Sequence, residues 1–236
     1  MATDSATDHR TALIVGAGSG LSAALARVFA GEGLRVALAA RSVGKLAALT
    51  NEIGAKAYDC DATSVDDVAR LFAAVTTAVG EPDVVVYNAS FRTRGPFVDL
   101  DPAEVKKAIE VSAYGGFLVG QAAARRMVPR GKGAIFFTGA SASVKGYAQS
   151  APFAMGKFAL RGLAQSMARE LSPIGIHVAH FVIDGGIASA TRVAPADRPD
   201  SLLDPATIAS TYLHVLKQPR SAWTSEVELR PWVEKF

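Results

Sequence analysis

A chain of 236 residues, half of them apolar, suits one larger α/β domain and supplies a core that can be covered on both faces. The formal net charge is only +3 and the Lys and Arg residues are scattered, which argues against a nucleic-acid partner. No apolar run approaches the roughly 18 residues of a membrane span. The polar residues 1–10 read as a frayed tail and not a signal peptide, and the lone Cys60 suits a reducing, cytoplasmic setting.

Short apolar runs alternate with longer stretches of helical period, the pattern of βαβ units and a parallel sheet. Residues 11–15 read as the first strand, followed by a glycine-rich turn. The next helix places Leu21, Ala24, Leu25, Val28 and Phe29 on one face and ends at Gly31-Glu32-Gly33. A second strand at 34–40 and a helix at 43–53 lead to a short third strand at 55–58. The third helix shows Val68, Leu71, Phe72, Val75 and Val79 on its apolar face. The valine run at 83–87 reads as a fourth strand buried on both faces. Asp101-Pro102 opens a helical stretch to about residue 129, with a break expected near Ser112. A fifth strand at 134–138, a long helix at 152–171 and a sixth strand at 176–183 follow. Residues 185–205, rich in Gly, Ala, Pro and Asp, have no period and read as a loop or lid. A helix at 206–216 and a seventh strand at 226–229 complete a single domain. The expected fold is a Rossmann-like, doubly wound parallel sheet of about seven strands with helices on both faces.

The turn Gly16-Ala17-Gly18-Ser19-Gly20-Leu21 stands between the first strand and first helix. Glycines there let backbone N–H groups close on a pyrophosphate at the helix N-terminus. Cys60 reads as a small buried residue near a strand end. His177 and His180, at odd spacing on one strand, point to opposite faces, and no cluster has metal-ligand spacing, so no metal is expected. Asp184 either positions a substrate polar group or accepts a proton, or it caps the turn after it.

From the first strand to the last helix the chain resembles the short-chain dehydrogenase/reductase family. Gly16 and Gly20 hold the first two glycine positions of that family's Thr-Gly-x-x-x-Gly-x-Gly turn, with Val15 at the threonine and Ser22 at the third glycine. Ala40 stands where NAD-preferring relatives carry an aspartate, and Arg41 follows. The resemblance therefore implies NADP(H) in preference to NAD(H), because a guanidinium forks onto a phosphate better than onto a hydroxyl. It also implies Asp61 near the adenine, Asn88 (in Asn88-Ala89-Ser90, for the family's Asn-Ala-Gly) and Gly185 along the cofactor, with Gly18, Ser19 and Leu21 completing the turn.

The family's Tyr-x-x-x-Lys becomes Phe153 and Lys157. The lysine that binds the nicotinamide ribose is kept, and the phenol that exchanges a proton with substrate is absent. The family's serine falls on Ala140, with Ser141 next and Ser143 nearby; its asparagine falls on Ser112, and its Pro-Gly becomes Asp184-Gly185. Tyr147 is the first choice as a replacement acid, ahead of Tyr114 or a water on Lys157, and its alternative role is an aromatic packed under the lid. Two functions compete. One is an NADP(H)-dependent oxidoreductase acting on a small carbonyl, enone or alcohol through a non-standard proton donor. The other is a catalytically impaired dinucleotide-binding protein with a sensor or regulatory role. The resemblance further implies a homodimer or homotetramer.

Overall fold

In the computed structural model, which describes residues 9–234, seven parallel strands form one sheet in the order β3-β2-β1-β4-β5-β6-β7. They are β1 (Thr11–Val15), β2 (Arg35–Ala40), β3 (Lys56–Asp59), β4 (Val84–Tyr87), β5 (Gly133–Thr138), β6 (Ile176–Ile183) and β7 (Glu226–Leu229). Ala12 and Ile14 of β1 face α1 (Leu21–Gly31), α2 (Ala47–Ile53) and α7 (Pro205–Leu216). Leu13 and Val15 face the other layer, α3 (Val65–Ala78), α5 (Gly115–Met127) and α6 (Ala151–Leu171). Helices on both faces explain why the central strands are apolar at nearly every position and do not alternate with polar residues. The strand order turns back between β1 and β4, so the loops leaving their carboxyl ends diverge and leave a crevice there.

Two local expectations are corrected, and the loop at 185–205 gains detail. The helical stretch after Asp101 is not broken near Ser112. Instead α4 (Pro102–Ile109) widens into a π turn at Glu110–Tyr114 and continues as α5. The extra width lies against Gly156 of α6, where a Cβ would stand 2.8 Å from Ser112 Cβ and 2.9 Å from the Ala108 carbonyl. Residues 185–205 are tied at their base, where Ile187 pairs with Leu203 and Ser189 with Arg192. The expected tail lies outside the described residues as far as residue 8, but Arg10 is fixed. Its N–H donates to the Asp83 carboxylate at 2.7 Å, and its carbonyl accepts from the Arg35 N–H at 2.9 Å. Among the described residues, no helix is long and apolar enough to cross a membrane.

Candidate active site

Two cavities open along the carboxyl ends of the strands. Gly16, Gly18, Asn88 and Ser90 line both, so they form one continuous crevice. The smaller, about 460 Å³, runs from Gly18 and Ser19 to Arg41, Lys45 and Asp61. The larger, about 720 Å³, passes Gly20 and Leu21 to reach Ser141, Tyr147, Phe153, Lys157 and Gly185.

The turn after β1 has one position where only glycine fits. Gly16 has φ +85°, and a Cβ there would stand 2.3 Å from the Ala89 nitrogen. A Cβ on Gly18 or Gly20 would meet nothing within 4 Å, so the space beside the turn is open. Gly20 begins α1 without a side-chain cap, whereas Ser64, Asp101 and Asp204 cap α3, α4 and α7 with their own oxygens. Uncapped N–H groups and the positive end of the helix dipole make this an anion seat. Ser22 is buried behind the turn, where its hydroxyl donates to the Gly16 carbonyl at 3.0 Å and accepts from the Asn88 amide at 2.7 Å. That serine ties the turn to the end of β4, a contact invisible while it is read only as a missing glycine.

At the far end Arg41 is exposed, with Ser42 and Lys45 beside it. Asp61 accepts from the Thr63 N–H at 2.9 Å and the Thr63 hydroxyl at 2.8 Å. Cys60 is buried next to it, and burial, helped by Asp67, Asp61 and Asp59, pushes its thiol up to about 11. It is the inert buried residue expected from the sequence.

α6 carries Lys157 into the wall of the larger cavity. Its Nζ donates to the Thr138 carbonyl at 2.7 Å, and it has no carboxylate partner among the described residues. Burial disfavours the ammonium and lowers its pKa to about 8. Phe153 sits one helical turn earlier, its ring centroid 5.8 Å from that Nζ and 5.0 Å from the guanidinium carbon of Arg92.

Of the hydroxyl-rich segment 138–143, Ser141 reaches the cavity while Ser143 turns inward. The Ser143 Oγ accepts from the Ala140 N–H at 3.1 Å and lies 3.3 Å from His180 Nε2. Ser141 stands beside the wholly buried Asp184. Burial alone would raise that carboxyl, but the Ser141 hydroxyl, the Lys145 ammonium and the Arg230 guanidinium hold it below its usual value. Asp184 anchors the Ser141 turn and does not line the cavity.

Tyr147 lines the larger cavity from the loop before α6 and is 46% exposed. The same loop holds Gln149 at φ 59°, a left-handed backbone unusual for a side-chain-bearing residue. The Gln149 carbonyl accepts from the Gly95 N–H at 3.2 Å, tying this loop to the segment after β4. Two expected residues lie elsewhere. Tyr114 is exposed, stacks on Phe117 and lines neither cavity, so it is not placed to serve as the acid. Ser112 is fully buried, lines neither cavity, and its hydroxyl has no hydrogen-bond partner among the described residues.

His177 and His180 face opposite sides of the sheet, as their spacing requires. His177 stacks on Trp223 at 4.7 Å and lies 2.8 Å from the Thr224 carbonyl; His180 lies between Ser143 and Glu226. Burial lowers the pKa of both, so both are neutral at pH 7.

Arg92, Arg94 and Arg192 also line the larger cavity and were not singled out in the sequence. The available signal was two arginines close behind Asn88-Ala89-Ser90, the segment that leaves the crevice end of β4.

Residues 10–199 match the model of the short chain dehydrogenase family. The chain is similar to the crystal structure of a short-chain dehydrogenase from Rhodopseudomonas palustris, at 37% identity and a TM-score of 0.81, over 94% of this chain and 99% of that one. It is also similar to a metagenomic short-chain oxidoreductase solved in complex with NADP, at 29% identity and a TM-score of 0.82, over 95% and 98% of the two chains. An oxidoreductase of Staphylococcus aureus strain N315 is 27% identical over 228 residues, 94% of this chain and 97% of its own.

Proposed function

The chain belongs to the short-chain dehydrogenase family of NAD(P)-dependent oxidoreductases, and on that premise we propose that it reduces small carbonyl or enone compounds, or oxidises the corresponding alcohols, with NADP(H). The observation that carries this reading is that the glycine turn, the uncapped start of α1 and the buried Lys157 open on one crevice.

The residues fit a nicotinamide dinucleotide. Open space over Gly18 and Gly20 suits the pyrophosphate, and Ser19 and Leu21 continue that cradle. Arg41 and Lys45 suit a 2′-phosphate, Asp61 the adenine end, and Asn88, Lys157 and Gly185 the nicotinamide half. When bound, the dinucleotide supplies the hydride, with its two electrons, to the carbonyl carbon. The proton for the oxygen must come from a protein group or water. Phe153 supplies none at any pH. Tyr147 is the donor in this reading, because its half-exposed ring lines the same cavity as Lys157 and Ser141. Ser141, once its hydroxyl turns from Asp184, donates a hydrogen bond to the same oxygen, and the Lys157 ammonium favours the negative charge that develops there. Ser112 takes no part, since it does not reach the cavity.

Phe153 favours a second reading, a dinucleotide-binding protein with little turnover and a sensor role, because a positioned acid or base is worth about 10²–10⁴ in rate. Fluorescence titration with NADPH and with NADH tests the proposal. Micromolar binding with NADPH preferred supports it, and binding of neither overturns it. Tight NADPH binding without oxidation by a panel of ketones, aldehydes and enones moves the protein to the second reading.

The same reading makes the protein a homodimer or homotetramer through α5 and α6, whose Phe117, Met155 and Phe158 stand exposed. A monomer by light scattering at micromolar concentration counts against it.

A further inference from the structure

The larger cavity has an unbalanced charge. Arg92, Arg94, Lys157 and Arg192 line it, against the single carboxylate of Glu234. Arg92 and Arg94 come from the segment after β4, and Arg192 from the loop after β6, so three arginines from two distant stretches line one space. None of the three forms a salt bridge among the described residues, whereas Arg27, Arg126, Arg130, Arg161 and Arg230 are each matched to a carboxylate. Partial burial, then the charges of Arg94 and Arg192, hold Arg92 below its ordinary value. Like charges gathered over a partly enclosed wall repel one another, and an anion placed among them relieves that repulsion.

The cluster stands at the reacting end of the crevice. The Arg92 guanidinium lies over the face of Phe153, the residue in the proton donor's usual place, and Lys157 Nζ approaches the same ring. Arg41 and Lys45, at the opposite end, line only the smaller cavity. A dinucleotide's 2′-phosphate and a second anion can therefore be served by different residues.

We propose that the substrate is itself an anion, a carbonyl compound bearing a carboxylate or phosphate group that Arg92, Arg94 and Arg192 hold beside Phe153. Guanidinium forks match the paired oxygens of either group. The reaction at the carbonyl rests on the dehydrogenase reading above, whereas the anion site stands on the cavity alone.

The test is calorimetric titration of the protein, with and without saturating NADPH, using malonate, inorganic phosphate and neutral malonamide. The NADPH-loaded protein should bind malonate or phosphate and ignore malonamide, and the tighter anion names the group. In the double variant Arg92→Gln with Arg94→Gln, anion affinity should fall about tenfold or more, while NADPH affinity stays within about twofold. All three arginines are exposed and without ion pairs, so the variant should keep its circular dichroism and melting curve. A protein that takes NADPH but neither anion overturns the proposal and leaves the dehydrogenase reading intact. One that binds an anion but neither dinucleotide keeps the site and loses that reading. Anion binding that NADPH abolishes, with NADPH itself weakened in the double variant, assigns the arginines to the cofactor's own phosphates and overturns the proposal. Anion binding unchanged in the double variant overturns it as well.

Discussion

At the β1 end of the crevice a serine, Ser22, stands where the family resemblance implies a glycine, and at the α6 end a phenylalanine, Phe153, stands where it implies a tyrosine. The first change adds a hydroxyl, and the fold uses it: Ser22 bonds the Gly16 carbonyl and the Asn88 amide. The second removes a hydroxyl, and the Phe153 ring offers Arg92 and Lys157 only its face. A site made of backbone N–H groups tolerates new side chains as long as the turn keeps its path. A site made of one side-chain proton is lost with that side chain.

The hardest way to break the backbone end is Gly16→Ala. It places a methyl group against the Ala89 backbone at a φ of +85°. We expect NADPH affinity to fall by 100-fold or more, and unfolding stability by about 3 kcal/mol, from overpacking and backbone strain together. Denaturant unfolding and fluorescence titration measure the two effects. Near-normal binding would mean that the path of the turn is not what makes the seat.

At the other end, Lys157→Met separates charge from packing. Lowering the ammonium from 10.5 to about 8 corresponds to a burial cost of about 3 kcal/mol at neutral pH. Because the folded value lies below the unfolded one, the folded chain binds fewer protons between about pH 8 and 10.5, and stability rises across that window. The variant should be more stable at pH 7 by up to about 2 kcal/mol, after about 1 kcal/mol is taken off for the lost bond to Thr138, and the rise above pH 8 should flatten. Turnover should fall about 100-fold. A variant that unfolds more easily at pH 7 would show that the lysine is neutralised by something other than burial.

Phe153→Tyr restores the phenol. Reduction should rise more than about tenfold, since Lys157 and Arg92 both favour a phenolate on that ring. No gain in a protein that still binds NADPH would mean that another acid already serves. Repeating the measurement in Tyr147→Phe would then show whether Tyr147 is that acid.

The sheet and its helices were legible because each central strand is an apolar run between turn signals, and each helix shows its face at a period of about 3.6 residues. The glycine turn was legible from its place between the first strand and first helix, and Lys157 through the resemblance to the family's Tyr-x-x-x-Lys. What escaped depends on partners distant in sequence. The π turn at Glu110–Tyr114 lies against Gly156, which no local pattern near Ser112 reveals. Residues 185–205 lack periodicity because their order comes from isolated bridges and not from a regular ladder. Arg92, Arg94 and Arg192 look like solvated arginines until the topology brings the segments after β4 and β6 to one end of the sheet.

The finest test of the comparison is Ser22→Gly, which installs the residue the resemblance implies. By resemblance alone it should improve the turn. In this chain it strips a partner from both the Gly16 carbonyl and the Asn88 amide, in the wall of the crevice, and it places a glycine in the first turn of α1. We expect a loss of about 1–2 kcal/mol in stability, a several-fold weaker hold on NADPH, and a kcat that barely moves, because nothing at Phe153 or Lys157 is touched. A neutral result would locate the strength of the turn in the Ala39 carbonyl, which accepts from the N–H groups of both Gly16 and Ala17 at 3.0 and 2.9 Å. The backbone end would then hold itself without help from any side chain, and the contrast with the α6 end would be sharper still.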